Sequence, residues 1–434
     1  MKRTTSRLVS RRLLLPFILV TSLFFAWGFA NDITNPMVKA FSKIFRMSVT
    51  DGALVQLAFY GGYFAMAFPA ALLISRYTYK SGIIVGLALY AAGALLFIPA
   101  SMTGLYYPFL VAYFVLTCGL SFLETTANPY ILSMGDERTA TRRLNLAQAF
   151  NPMGSLLGMF AAKQFIVARM NPLDTGGRAA LPDAEFEAVK AADLEVLVTP
   201  YVAVGLAVLV LLAIVRLARM PGKGDEERPG RARDVLRRVL AIPRYREGVI
   251  AQFFYVGVQI MAWTFIIQYG TRVFMNEGMS EQAAEIRSQD YNIAAMVIFC
   301  ASRFACTFLL KFFSPGKLLM TLAVGGACLT AGVIGFQDVR GLYCLVAVSA
   351  CMSLMFPTIY GIALGGLGAD AKFAAAGLIM AILGGSVLPP LQAALIDRGT
   401  LLGMPAENAS FILPLFCFLV ITCYGYRARA AFKR

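Results

Sequence analysis

The sequence predicts an all-α membrane protein with twelve transmembrane helices arranged as two six-helix repeats. Of its 434 residues, 59% are hydrophobic and 15% are charged, and the mean hydropathy is +0.69. A soluble protein of this length needs far fewer apolar residues. Apolar runs of about twenty residues, the length that crosses a hydrocarbon core of about 30 Å, recur along nearly the whole chain. Polar motifs that return in the same order in both halves indicate the repeat.

The predicted crossings divide the chain into two halves. We predict an amino-terminal six-helix half at residues 1–219, a cytoplasmic linker at 220–243 and a carboxy-terminal six-helix half at 244–434. The acidic segment 171–194 is expected to form a short loop or surface helix outside the membrane. The crossings are predicted at 13–45, 52–77, 81–101, 105–133, 143–169, 196–218, 246–275, 286–312, 316–337, 340–366, 373–397 and 407–427.

The two halves repeat their motifs in matching helices. Residues 119–130 in the fourth helix correspond to 350–360 in the tenth, and residues 150–158 in the fifth helix correspond to 382–390 in the eleventh. Internal repeats of this kind are typical of transporters built from two related bundles. The repeat therefore favours transport over other functions of a polytopic membrane protein.

The basic residues sort by side of the membrane. The net charge is +15, which by itself is also compatible with a nucleic-acid partner. However, 27 of the 39 Lys and Arg residues lie in the loops and ends that are inside when the amino terminus is cytoplasmic. By the positive-inside rule, both termini are expected in the cytoplasm. We predict a multi-pass protein of the inner (plasma) membrane, with the lipid bilayer as its surroundings and no nucleic-acid partner.

Several kinds of chemistry are excluded by what the sequence lacks. It contains no histidine, so it has no histidine zinc site, Ser-His-Asp triad or histidine proton relay. Its eight cysteines occur singly in apolar runs, where a free cysteine acts as a small hydrophobic residue. No phosphate-binding Gly-x-x-x-x-Gly-Lys-Ser/Thr loop is present. We expect no metal, no cofactor and no enzymatic activity, and a transport process driven by an ion gradient or by mass action.

Glu124 is an isolated acidic residue in a run of about thirty otherwise uncharged residues. An acidic side chain at the centre of a bilayer costs about 2.5–3.5 kcal/mol on insertion scales, so it normally faces a cavity or partner and indicates a substrate or proton path. Protonation relieves this cost, because only the charged form is strongly penalised by removal from water. We therefore predict Glu124 as a proton-coupling and substrate-binding residue.

Other polar side chains recur at helical spacing in the predicted helices. Residues three, four or seven apart share one face of a helix, and such faces indicate either hydrogen bonds between helices or a polar binding site. Carboxyl and amide groups complement sugar hydroxyls, and an aromatic ring can cover the C–H face of a sugar. We predict that Asp32 couples proton movement and that the substrate-binding residues include Asn31, Asn35, Glu124, Asn128, Gln148, Asn151, Gln259 and Trp263.

Three further side chains on the predicted helices stand out. Gln252 and Tyr255 lie on the stripe of the seventh helix that continues to Gln259 and Trp263. Arg303, in the eighth helix, is a second embedded charge. We expect its long side chain to reach the cytoplasmic surface, with a pair across to a carboxylate as the alternative.

The chain resembles the fucose permease family, the L-fucose:proton symporters of the major facilitator superfamily, over nearly its whole length. The most specific motif is Phe122-Leu-Glu-Thr-Thr-Ala-Asn-Pro-Tyr130; the others are Arg143-Leu-Asn-Leu-Ala-Gln-Ala-Phe-Asn151, Gln252-Phe-Phe-Tyr-Val-Gly-Val-Gln259 and Gly384-Gly-Ser-Val-Leu-Pro-Pro390. The resemblance implies the major facilitator fold. It also implies that Glu124 takes part in sugar recognition and proton coupling, and that Gln148 and Asn151 line the sugar site.

The first helix departs from the family pattern. The family reads Asn-Asn-x-x-Asp, with the aspartate as proton acceptor, whereas this chain reads Asn31-Asp-Ile-Thr-Asn35. Asn35 occupies the aspartate position and does not titrate. Asp32 lies three residues earlier on the same helix face, displaced by about 4.5 Å along the axis. Asp32 can therefore replace the family aspartate, or the exchange can have altered the coupling.

The sequence predicts a monomeric importer of a small neutral sugar together with a proton, most specifically L-fucose, by alternating access. Two alternatives remain open at this stage. One is a permease for glucose, galactose or another neutral sugar, with or without proton coupling. The other is a membrane sugar sensor without transport, against which the lack of a soluble output domain argues.

Overall fold

The described part of the chain is almost entirely helical. The computed structural model describes residues 8–34, 37–47, 54–173, 175–220, 232–401 and 403–431. Ten helices in these ranges are long and apolar enough to cross a membrane, and Leu14–Ala30 adds a shorter apolar helix. The only strands that these ranges contain are Thr400–Leu401 and Met404–Pro405, which form a small antiparallel pair. The predicted all-α membrane fold is confirmed.

Twenty α-helices are numbered here in chain order. The amino-terminal ten are α1 Leu14–Thr34, α2 Met37–Ile44, α3 Leu54–Arg76, α4 Tyr79–Leu95, α5 Phe97–Thr103, α6 Tyr107–Ser133, α7 Ala140–Gln148, α8 Asn151–Ala161, α9 Thr175–Ala179 and α10 Asp183–Leu217. A π-helical segment, Ala162–Val167, follows α8 directly. The others are α11 Ala232–Ala241, α12 Pro243–Asn276, α13 Glu281–Leu309, α14 Pro315–Gly335, α15 Val339–Met352, α16 Met355–Leu364, α17 Ala371–Met380, α18 Gly384–Ile396, α19 Ala406–Ala409 and α20 Ile412–Ala431.

One compact unit, called here the amino-terminal unit, comprises Val9–Met134 and Phe150–Pro229. In this unit α6 packs against α3 and α4, α1 packs against α8, and α10 packs against α4. Aromatic residues join three of its helices: the Phe97 and Tyr201 rings stack with centroids 4.1 Å apart, and the Tyr113 and Tyr201 hydroxyls are 2.6 Å apart. This packing fixes the buried helix α6, which carries Glu124.

The second compact unit, called here the carboxy-terminal unit, comprises Met1–Leu8, Gly135–Ala149 and Gly230–Arg434. Helix α12 lies against α13, α16, α18 and α20, and α14 lies against α15 and α20. Helix α7 belongs to this unit and packs on α16, where the Asn145 amide donates to the Thr358 hydroxyl at 3.1 Å. The predicted division at 219 and 243 stays a prediction, and residues 221–231 of the predicted linker lie outside the described ranges.

The sixth crossing begins earlier than predicted. Helix α10 starts at Asp183, so the second part of the segment 171–194 continues directly into the crossing predicted at 196–218. Pro182 precedes the helix, and Asp183 and Glu185 in its first turn complement the positive end of the helix dipole. A buried ion pair holds the rest of this segment: Arg178 Nη2 lies 2.6 Å from Asp193 Oδ2.

Candidate functional site

Glu124 lies in the most enclosed stretch of the amino-terminal unit. Its side chain is 7% exposed, and every residue from 116 to 131 of α6 is buried. The Tyr63 hydroxyl donates to Glu124 Oε1 at 3.4 Å, which is long for an O–H···O hydrogen bond. Among the described residues, Glu124 Oε2 has no hydrogen-bond partner. The carboxyl is thus removed from water and has one oxygen open to a proton or to a ligand hydroxyl.

Two hydrogen bonds to backbone carbonyls and one side-chain contact position the Glu124 carboxyl. The Ser121 hydroxyl donates to the Tyr63 carbonyl at 3.0 Å, which joins α6 to α3 one turn from Glu124. The Asn128 amide donates to the Glu124 carbonyl at 3.0 Å. The Trp27 side chain from α1 also interacts with the Glu124 carboxyl. Asn128, predicted to bind substrate, therefore contributes at least to fixing the backbone of α6.

Asp32 is another buried acid of the amino-terminal unit. It lies near the end of α1 and is 7% exposed, within electrostatic reach of Tyr60 on α3. Asn31 lies in the same helix, but its side chain is outside the described set, and Asn35 lies outside the described residues altogether. The role of Asn35, which stands where the family has an aspartate, therefore stays a prediction from the sequence.

Asn151 holds α8 against α1. Its amide Nδ2 donates to the Phe24 carbonyl at 3.2 Å, and the Ser155 hydroxyl donates to the Gly28 carbonyl at 3.4 Å. A Cβ atom on Gly28 would overlap the Asn151 carbonyl, and one on Gly154 would overlap the Phe25 carbonyl. The two backbones are in direct contact, so the half-buried Asn151 is held at a fixed position on the unit's polar face.

Arg303 is buried in the carboxy-terminal unit, and the expectation that it reaches the surface is wrong. The residue is 3% exposed, and its guanidinium donates to the Ser353 carbonyl and to the Gln148 carbonyl at 3.1 Å. It also lies over the Phe299 ring, 4.6 Å from the centroid. Carbonyl oxygens next to the broken end of α15 and at the end of α7 supply the partners that an embedded cation requires. Arg303 therefore does not have to extend to the cytoplasmic surface to find partners for its charge.

Helix α12 carries a stripe of polar groups in the same unit. The Trp263 indole donates to the Ser349 hydroxyl at 3.3 Å and meets the Phe299 ring edge to face, with centroids 4.9 Å apart. Gln259 is half-buried. Gln252 is fully buried, and neither of its amide heavy atoms has a hydrogen-bond partner among the described residues. The binding residues predicted from the sequence do not include Gln252, but its amide, unpartnered among the described residues, indicates a ligand contact.

The predicted site residues thus fall into two separate groups. Asp32, Glu124, Asn128 and Asn151 belong to the amino-terminal unit, whereas Gln148, Gln259 and Trp263 belong to the carboxy-terminal unit. Tyr63, Trp27 and Arg303 were not predicted as parts of these groups. In an apolar run, the sequence does not distinguish a tyrosine or tryptophan at a site from one in ordinary helix packing. The embedded charge of Arg303 is recognisable in the sequence, but its hydrogen-bond partners are not.

The chemistry of these groups suits the recognition of a polar solute. No set of three or more Cys, Asp and Glu residues placed to hold a metal ion occurs in the described ranges. The groups offer carboxyl oxygens, amides, hydroxyls and indole rings inside bundles of apolar helices, which suits a small polar solute without a net charge. In a polytopic helical protein, such embedded polar groups indicate a membrane transporter.

Comparison with known proteins identifies the family. The model of the Major Facilitator Superfamily matches residues 18–390, and the chain belongs to that family. It is 50% identical over 429 residues to the L-fucose-proton symporter of Haemophilus influenzae, covering 98% of both chains. It is also 31% identical to a glucose/galactose transporter of Brucella abortus, covering 94% of this chain and 92% of that one.

A solved structure gives the same result. The crystal structure of the Escherichia coli fucose:proton symporter FucP is 31% identical to this chain, with a TM-score of 0.86, and the match covers 96% of this chain and 99% of that chain. The predicted resemblance to the fucose permease family and the major facilitator fold are both confirmed.

Proposed function

We propose that this protein is an L-fucose–proton symporter that carries the sugar into the cell by alternating access. The observation that carries the proposal is the buried Glu124 carboxyl, one oxygen of which has no hydrogen-bond partner among the described residues. The chain is also 50% identical to an L-fucose-proton symporter. A carboxyl in this state accepts a proton from water and a hydrogen bond from a sugar hydroxyl, so one group responds to both substrates.

The proposed coupling follows from the cost of a buried charge. A charged Glu124 at membrane depth is unfavourable unless water or a partner reaches it, whereas the protonated group is neutral. Proton binding therefore lowers the cost of closing the site around the sugar. Asp32, buried on α1, takes the role of a second titrating group. Opening toward a less acidic compartment then releases the proton.

The proposed substrate contacts come from both groups of polar residues. Glu124, Asn128 and Asn151, with Asn31 and Asn35 on the first helix, offer acceptors and donors to the sugar hydroxyls. Gln148 and Gln259 offer further amides, and Trp263 offers an indole face. Gln252 joins this set because its buried amide has four hydrogen-bonding positions and no partner among the described side chains and backbone groups.

The proposed location is the inner membrane, with both termini in the cytoplasm and the protein active as a monomer. Of the 39 Lys and Arg residues, 27 lie in the loops and ends predicted to be cytoplasmic, and this asymmetry supports the orientation. In this proposed orientation, α9 and the start of α10 lie on the outer side and α11 lies on the inner side.

A glucose or galactose permease is the second candidate, favoured by the 31% identity to the Brucella abortus transporter. The experiment that separates the two is a panel of sugars added to lightly buffered cells that express the protein. For the proposed function, L-fucose alkalinises the medium because protons enter with it, while glucose and galactose do not. Alkalinisation by glucose or galactose alone would favour the second candidate.

A further inference from the structure

A large apolar cavity lies on the membrane-facing side of the amino-terminal unit, and Glu124 is not among its lining residues. Its volume is about 850 Å³, within the usual range of small-molecule sites. The walls come from α1, α8 and α10, with Phe25, Phe29, Leu157, Phe160, Ala203 and Ala207 among the lining residues. The two alanines leave room beside α10 that larger residues would fill. This cavity is called the α1/α8/α10 groove below.

The groove opens toward the hydrocarbon of the bilayer. The α10 span is the most apolar of the membrane spans found and the least buried, with 22% of its window inside the protein. Leu157 and Phe160, on the groove wall, are 47% and 56% exposed. Such surfaces contact acyl chains in a membrane. The occupant that reaches this groove therefore comes from the bilayer.

The apolar walls alone do not select one lipid over another. Lipid tails are as apolar as leucine, so a tail gains no hydrophobic free energy by moving from the bilayer into the groove. Selectivity must come from polar groups on the lining, and two charged residues, Arg169 and Glu195, line the same cavity. Arg169 stands over the Phe165 ring at 5.3 Å.

A hydrogen bond and an ion pair hold the backbone around Arg169 and Glu195 in place. The Asn171 backbone N–H, two residues from Arg169, donates to Asp193 Oδ1 at 2.8 Å, and Asp193 lies two residues before Glu195. Asp193 in turn pairs with the fully buried Arg178 at 2.6 Å. The segment that follows the π-helix is thereby held against the amino-terminal third of α10. Arg169 and Glu195 each lie two residues from this contact, and both line the groove.

We propose that the α1/α8/α10 groove binds one phosphatidylethanolamine molecule. An acyl chain fills the groove, the guanidinium of Arg169 binds the lipid phosphate, and the carboxylate of Glu195 accepts hydrogen bonds from the ethanolamine ammonium. Phosphatidylglycerol lacks the ammonium, so its net negative charge lies near the Glu195 carboxylate, which repels it. Phosphatidylcholine has a quaternary nitrogen without N–H donors. In the proposed orientation the lipid belongs to the outer leaflet.

Native mass spectrometry of the full-length protein in mild detergent tests this proposal. The protein is delipidated, then given equal amounts of phosphatidylethanolamine, phosphatidylglycerol and phosphatidylcholine. We compare the wild type with Ala207→Phe, which fills the groove, and with Leu206→Phe as the matched control. Leu206 is the adjacent, 55% exposed residue of α10 and does not line the cavity. Glu195→Gln tests the headgroup contact.

The expected result is one tightly retained phosphatidylethanolamine on the wild type and on Leu206→Phe, and at least a fivefold lower occupancy on Ala207→Phe. Glu195→Gln is expected to lose the preference for ethanolamine over glycerol while still binding one lipid. Equal retention of all three lipids by the wild type, or undiminished retention by Ala207→Phe, would overturn the proposal. A common elution volume on size-exclusion chromatography checks that each variant is folded.

Discussion

Arg303 Nη1 donates a hydrogen bond to the backbone carbonyl of Gln148 at 3.1 Å. The same guanidinium donates to the Ser353 carbonyl, so one buried cation ties α13 to the end of α7 and to the break between α15 and α16 within the carboxy-terminal unit. Gln148 is one of the predicted sugar contacts. Its backbone position in this unit thus depends on a residue that sequence reasoning assigned to the membrane surface.

Replacing Arg303 by Met removes both hydrogen bonds and leaves two buried carbonyls without this donor. Hydrogen bonds to charged groups contribute about 1.5–3 kcal/mol each, so we expect a clear drop in the thermal unfolding midpoint in detergent and weaker L-fucose binding. Lys311→Met is the control, because it removes an exposed cation that follows the same helix. Equal midpoints for the two variants would contradict the structural role of Arg303.

Replacing Glu124 by Gln keeps the size of the side chain but removes the carboxyl that binds and releases a proton in the proposed cycle. We expect uptake driven by a pH gradient to be abolished. The measurement is the initial rate of labelled L-fucose uptake into cells or vesicles with an imposed gradient. Glu187→Gln is the control, since Glu187 is an exposed partner of Lys190 at the protein surface. Wild-type rates for Glu124→Gln would refute the assignment.

Asp32 is tested by separating accumulation from exchange. Asp32→Asn is expected to lose uphill accumulation of L-fucose and to retain sugar counterflow, which needs no net proton movement. The double variant Asp32→Asn with Asn35→Asp returns the acid to the position that the family uses, and recovery of accumulation is expected there. Unchanged accumulation in Asp32→Asn alone would show that Asp32 is not a coupling acid.

The contact of α1 with α8 predicts that Gly154 does not tolerate a side chain. A Cβ atom there overlaps the Phe25 carbonyl, whereas one on Gly61 of α3 has only Phe114 Cε2 within 4 Å, at 3.9 Å. Gly154→Ala should therefore destabilise the protein by about 1–3 kcal/mol through overpacking, and Gly61→Ala should leave stability near wild type. Thermal unfolding in detergent compares them, and equal midpoints would argue against this close approach.

The ion pair of Arg178 and Asp193 is predicted to matter far more than an exposed one. Both side chains are buried, so Asp193→Asn leaves a buried cation without its partner, a change that typically costs about 3–5 kcal/mol. Asp338→Asn is the matched control: Asp338 is exposed, Arg340 lowers its pKa through a hydrogen bond, and asparagine is an equally good helix N-cap. Similar unfolding midpoints for both variants would contradict the prediction.

Most of the fold was predictable because hydropathy reports directly on membrane crossing. The helices were predicted close to their observed positions, except that α10 begins at Asp183. From the sequence, its polar first turns are expected to form a short loop or surface helix, because they lack the run of apolar residues by which a membrane span is recognised. The Pro182-Asp183-Ala-Glu185 sequence carried a helix-start signal, which the acidic residues of the first turn supplied.

The candidate site was only partly predictable, for a different reason. Glu124 and Asp32 stand out because an isolated acid in an apolar run is costly. Arg303 stood out equally, but its partners are backbone carbonyls, and these have no signature in the sequence. Tyr63 and Gln252 are recognised only when their surroundings are known, since the same residue types also occur in ordinary helix packing.

The most direct test of proton-coupled L-fucose transport uses purified protein in proteoliposomes with an imposed pH gradient, acidic outside. Labelled L-fucose and the internal pH are followed together. Symport predicts that the sugar accumulates above its external concentration while the interior acidifies, and that a protonophore abolishes the accumulation. L-Fucose that only equilibrates, with no acidification and no response to the protonophore, would contradict this account.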